Sequence, residues 1–154
     1  MNTIPHTPDD PRCSDPRVAR IVTLFETLTP ADVARLGAYY TAQTRFKDPF
    51  NEVVGVPAVQ HIFAHMFTTL DAPRFVVRDI VVQGDQCFLT WDFLFHLQRF
   101  NRSLQTVRGA SHLRLDPIGL IEDHRDYWDA AEELYEKLPV LGSLMRWLKK
   151  RATT

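Results

Sequence analysis

The chain has 154 residues, with 18 Lys and Arg against 19 Asp and Glu for a formal net charge of -1; 45% of its residues are hydrophobic and 24% charged. That length suits one domain, able to bury about two-thirds of the surface its unfolded form exposes, and the composition excludes wholesale disorder and fibrous repeats. Balanced charge argues against a nucleic-acid partner, which needs a cation surplus to displace counterions from phosphates. Cys13 and Cys87 lie in unlike contexts without a Cys-x-x-Cys spacing, which points to a reducing compartment and no zinc. No run of about 18 apolar residues occurs, and the N-terminus lacks the apolar block of a signal peptide. A cytoplasmic, soluble protein is expected.

Residues 1–15 read as a flexible leader with Pro5, Pro8 and Pro11. Asp15 followed by Pro16 is a helix start, and Val18, Ile21, Val22, Phe25 and Leu28 follow at helical spacing. Thr29, Pro30 and Asp32 repeat that logic and predict a second helix running to Tyr40. Residues 45–55 contain Asp48-Pro49 and read as short extended pieces and turns. Pro57 opens a third helix whose face is Val59, Ile62, Phe63, Met66, Phe67 and Leu70. From Arg74 the period changes to two. Strands are predicted over residues 74–82, 86–97, 104–115 and 120–128, joined by Gly84-Asp85, residues 101–103 and residues 116–119. Short connections make them an antiparallel meander. A helical pattern returns through Ala130, Ala131, Leu134 and Leu138. A basic amphipathic helix follows over residues 139–154, its apolar face expected to cap the sheet or a subunit interface rather than a membrane.

The informative residues are polar side chains on strands. On the second strand, Cys87, Leu89, Trp91, Phe93 and Phe95 share one face, while Phe88, Thr90, Asp92, Leu94 and His96 share the other. The mixed face is the expected pocket wall. A register with Asp92 opposite Ala110, and Ala110 opposite Asp126, aligns two carboxylates roughly 10 Å apart, given strands about 4.8 Å from their neighbours. His112, opposite Thr90 and His124, is diagonal to both. The register is decisive, because a one-residue slip turns every side chain over. A carboxylate set among Phe88, Leu94 and Trp128 would lose hydration, the setting of a general base, and a nearby imidazole would supply a second titrating group. His61 and His65 share a helical flank, yet no HExxH motif accompanies them and no metal is expected. No Gly-rich phosphate loop is present, so no cofactor is expected. Tyr39 and Tyr40 read as core or rim residues, Tyr40 being placed on the pocket wall.

The order of elements, with Phe46-Lys47-Asp48-Pro49-Phe50 leading to Gly55 and a meander closing in His124-Arg125-Asp126-Tyr127-Trp128-Asp129, resembles the superfamily of nuclear transport factor, ketosteroid isomerase, limonene-epoxide hydrolase and the SnoaL-like polyketide cyclases. The resemblance covers residues 17–138. It implies an α+β domain over residues 16–138, a cone-shaped curved antiparallel sheet with N-terminal helices packed on its concave face and a C-terminal helix. It also implies an apolar pocket and homodimers paired through the sheet. His112 and Asp126 resemble the acid-base pair of the SnoaL-like cyclases. Asp92 and Asp126 resemble the two carboxylates of the epoxide hydrolases, whose Arg, Tyr and Asn are replaced by Thr90, Phe46 and Asp48. The expected function is proton transfer by Asp126 and His112, tuned by Asp92, on a small apolar or amphipathic molecule, as in an isomerase, cyclase or lyase. Asp48, Phe46, Tyr40, Thr90, Phe88, Leu94 and Trp128 are expected to line the site. The alternative is a noncatalytic ligand-binding or dimerisation module of the same fold.

Overall fold

Asp15 accepts the Arg17 N–H and Pro16 takes the first helical position, so α1 runs Pro16–Thr27 and buries Val18, Ile21, Val22 and Phe25. The computed structural model describes residues 10–97 and 103–133, together with Trp147 and Lys150. Residues 1–9 of the leader, residues 98–102 and, but for those two residues, the helices expected beyond residue 133 lie outside the described residues. Just before α1, Arg12 pairs with Asp10 and Glu26 and donates to the Val77 carbonyl, which ties residues 10–15 to the body of the domain.

The second helix is shorter than expected. Asp32 accepts from Thr29 N–H and Oγ, but α2 covers only Pro30–Val33 and a 3-10 turn follows at Leu36–Ala38. From Tyr40 the chain becomes a strand that the helical reading missed, β1 (Tyr40–Lys47), which turns back into β2 (Glu52–Val54). The physical reason is tertiary: β1 buries Tyr40, Thr44 and Phe46 and pairs in parallel with the last strand. Then come α3 (Val56–Thr69), β3 (Leu70–Gln83), β4 (Gln86–Leu97), β5 (Leu104–Leu115), β6 (Ile121–Tyr127) and α4 (Ala130–Glu133). The fold is α+β, with a six-stranded sheet in the order β2-β1-β6-β5-β4-β3. Because β1 is parallel to β6, this curved sheet is mixed rather than purely antiparallel. Helices α1 and α3 lie on one face, over a core that includes Val59, Phe63, Leu89 and Leu113. Full burial of each such side chain contributes about 1.5–3 kcal/mol. No helix among the described residues is long and apolar enough to cross a membrane.

Register differs from expectation in two ways. Across β4 and β5, Asp92 faces Arg108, Thr90 faces Ala110 and Phe88 faces His112, a two-residue shift that leaves every side chain on its expected face. Across β5 and β6 the shift is by one. Leu115 faces Ile121 at the turn, but Arg114 faces Asp123, so Glu122 is an extra residue. Beyond this bulge Leu113 faces His124 and Ser111 faces Asp126. Asp126 therefore stands on the opposite side of the sheet from Asp92 and His112, and the expected row of Asp92, Ala110 and Asp126 does not exist.

Gly109 lies opposite Trp91, where a Cβ would come within 2.3 Å of the indole ring. The missing side chain lets the ring lie across β5. Gly109→Ala should destabilise the fold by about 1–3 kcal/mol through overpacking. Urea denaturation of the two proteins measures this, and equal midpoints would contradict it.

Candidate active site

His124 and Asp126 are two residues apart on β6 and so share a face, which the bulge at Glu122 turns inward. Behind them Tyr40 is buried, its Oη 2.8 Å from His124 Nδ1. His124, enclosed by Phe25 and Phe46, places Nε2 2.8 Å from Asp126 Oδ1. The same oxygen accepts the Ser111 hydroxyl at 2.5 Å, and Ser111 accepts the Trp91 indole N–H at 2.9 Å. An ionised Asp126 can only accept. This assigns the imidazole proton to Nε2 and leaves Nδ1 to accept from the Tyr40 hydroxyl. The chain from Tyr40 to Trp91 thus uses each of its donors once and ends at one carboxylate oxygen. Among the described residues, Asp126 Oδ2 accepts no hydrogen bond.

A cavity of about 460 Å³ lies between α3 and the inner face of the sheet, within the range of roughly 300–1,000 Å³ usual for small-molecule sites. Ile62, Phe63 and Met66 of α3 face Phe75, Trp91, Phe93, Phe95 and Val107 of the sheet, with Phe46, Phe50 and Trp128 closing the sides. Asp48 and Asp126 supply carboxylates, and His65 and Thr69 complete the polar lining among the described residues. Asp48 also shapes its own turn, its Oδ1 accepting the Phe50 and Asn51 N–H groups. Both carboxylates border a second, more open cleft with Lys47 and Arg125.

The residues expected from sequence divide between the two faces of the sheet. Asp126, Asp48, Phe46 and Trp128 line the cavity. Tyr40 stands behind His124 instead of on the wall. Asp92 lies on the outer face, ion-paired with Arg78 at 2.6 Å, so it neither faces Asp126 nor tunes it. His112 is also outside, stacked on Phe88 with ring centres 4.3 Å apart and 2.9 Å from Gln86 Oε1. Thr90 binds Asp79, and Phe88 and Leu94 share that outer face. The cause is the competition between the faces of β4: the wholly apolar side, carrying Trp91, Phe93 and Phe95, takes the interior, and the mixed side is left to solvent. Sequence reasoning missed His124, Ser111 and Trp91. The signal was available for His124, since residues two apart on a strand share a face in any register free of a bulge between them.

The arrangement defines a class: α+β proteins in which a sheet and helices enclose a ligand-sized cavity, here with carboxylates in its wall. Within it the chain belongs to the SnoaL-like domain family, whose pattern matches residues 21–124. A protein of ketosteroid isomerase-like fold from Catenulispora acidiphila DSM 44928, solved with trimethylamine, is similar at a TM-score of 0.67 and 16% identity, over 79% of this chain and 92% of that one. A Jannaschia sp. CCS1 protein described as a SnoaL-like polyketide cyclase gives 0.64 and 17%, over 75% and 87%. TerC, crystallised with polyporic acid, gives 0.66 and 14%, over 86% and 99%. At such identities these likenesses concern the fold. No curated protein sequence matches the chain.

Burial, and secondarily the Asp126 charge, push the Tyr40 phenol well above its usual value near 10.0. Unfolded chains release that proton first. The stabilisation is therefore full below about pH 10 and is lost as pH rises toward the folded value. Tyr40→Phe should cost about 1–3 kcal/mol at neutral pH by leaving His124 Nδ1 unsatisfied, and should lose less further stability than the parent chain above about pH 10. Denaturation across that range checks both statements, and parallel pH profiles would contradict the second.

Proposed function

We propose that the protein takes a small, largely apolar molecule into the cavity beside α3 and that Asp126 moves a proton on it, as an isomerase, cyclase or lyase does. One observation carries the reading: Asp126 lines an aromatic cavity with Oδ1 held by Ser111 and His124 and Oδ2 left for a ligand. A base must be within hydrogen-bond reach of the proton it takes, and a carboxylate anchored at one oxygen presents the other in a set direction. His124 serves here as a positioning residue beside Asp126, whereas the sequence reading paired Asp126 with His112 for proton transfer and gave the tuning role to Asp92. The trimethylamine complex of one fold neighbour, the co-crystallisation of another with polyporic acid and the cyclase description of a third support a small-molecule role.

Solvent-deuterium incorporation next to the carbonyl of a panel of apolar cyclic ketones, followed by NMR, measures such proton transfer without knowledge of the natural substrate. The parent chain should accelerate exchange over buffer, and Asp126→Asn should lose about 10²–10⁴-fold of that acceleration with an unchanged circular dichroism spectrum. Exchange equally fast in the variant would contradict the role of Asp126. Binding of the ketones without accelerated exchange would favour a noncatalytic binding module.

A further inference from the structure

The cavity carries two carboxylates that meet no cationic side chain. Outside the cavity, Asp15, Asp85, Asp92 and Asp123 each meet an arginine, whereas Asp79, Asp116 and Asp129 accept from hydroxyl or backbone N–H groups. Asp48 instead meets only the Phe50 and Asn51 backbone N–H groups and the Asn51 amide, and Asp126 only Ser111 and His124. The parallel register between β1 and β6 ends with Lys47 beside Arg125, the residues just before Asp48 and Asp126, and both carboxylates line the same cavity. The basic residues of the adjoining cleft are engaged, Lys47 with Glu52 at 3.3 Å and Arg125 over the Tyr127 ring at 4.6 Å. Among the described residues no lysine or arginine lines the cavity; eight Phe and Trp side chains do, with the His65 imidazole beside them.

Taking the cavity to be the ligand site, as proposed above, we propose that its ligand carries a cationic nitrogen clothed in carbon, a tertiary or quaternary ammonium, seated at the mouth between Asp48, Asp126 and the rings of Phe50 and Trp128. Phe50 and Trp128 meet edge to face with centres 5.5 Å apart, and both line the same cavity as the carboxylates. The electron-rich ring faces attract a cation. An anion is opposed by both carboxylates, and a neutral molecule leaves their charge uncompensated. A bare ammonium or guanidinium carries several N–H donors, each needing an acceptor that the apolar walls do not offer. Alkyl groups spread the charge over a surface that sheds water readily and fits those walls. An ammonium held against Asp48 leaves the Asp126 oxygen to reach a carbon of the same molecule.

The test compares benzyltrimethylammonium with neopentylbenzene, its uncharged counterpart of the same shape, by NMR titration of the whole chain using the indole signals of Trp91 and Trp128. The ammonium should bind at least about tenfold more tightly. Asp48→Asn keeps an oxygen for the Phe50 and Asn51 N–H groups and so keeps the turn. It should weaken the ammonium by at least about fivefold and leave the hydrocarbon unchanged. Equal or tighter binding of neopentylbenzene would overturn the ammonium and leave the cavity as ligand site. If neither probe shifts the indole signals, both readings fall.

Discussion

One inserted residue decides what the site contains. Ile121 points into the core opposite Leu115, and regular alternation from there would carry Asp123, Arg125 and Tyr127 inward, with His124 and Asp126 facing out. The bulge at Glu122 reverses this. Thr44 Oγ donates to the Glu122 carbonyl, and β1 shifts its own pairing with β6 between Tyr40 and Arg45, so both neighbours of β6 accommodate the extra residue. The charged Asp123 and Arg125 are thereby sent outward, and the imidazole and carboxylate face the cavity.

What holds Asp126 once it faces inward comes from four strands. Tyr40 begins β1, His124 lies on β6 itself, Ser111 on β5 and Trp91 on β4, and these side chains meet through hydrogen bonds of 2.5 to 2.9 Å. Gly109 gives the Trp91 ring room to reach Ser111. A polar chain of this kind, buried beneath aromatic residues, is costly if any member is left unpaired, and that cost is what makes its geometry definite. The carboxylate is consequently oriented by the sheet instead of by a mobile loop, the condition under which a single base can act on a ligand that has few other polar contacts.

Much of this was legible before the structure. The Asp15-Pro16 start, the apolar face of α1 and the bounds of β4 and β5 are local signals, carried by a cap, a 3.6-residue period and alternation over twelve residues. Only the end of β1 was legible, in the extended reading from Arg45 onward; Tyr40 to Thr44 reads as extended only once β6 lies beside it. The bulge was not legible either: a register follows from turn length only while both strands remain regular, and nothing around Glu122 marks an insertion. The error over Asp92 and His112 had a different source. Ionisable groups on the mixed face of β4 suggested a pocket, whereas the burial of Trp91 and Phe95 on its other face is the stronger force, and the cavity formed among those rings.

Which ring nitrogen of His124 carries the proton fixes the direction of the whole chain toward Asp126. Long-range ¹H–¹⁵N correlation of the histidine side chains reads it directly. The expected result is an Nε2–H tautomer at His124, its proton protected from exchange, with Nδ1 as acceptor from Tyr40. A His124 ring protonated at Nδ1 and exchanging freely with solvent would mean that Asp126 is not held as described.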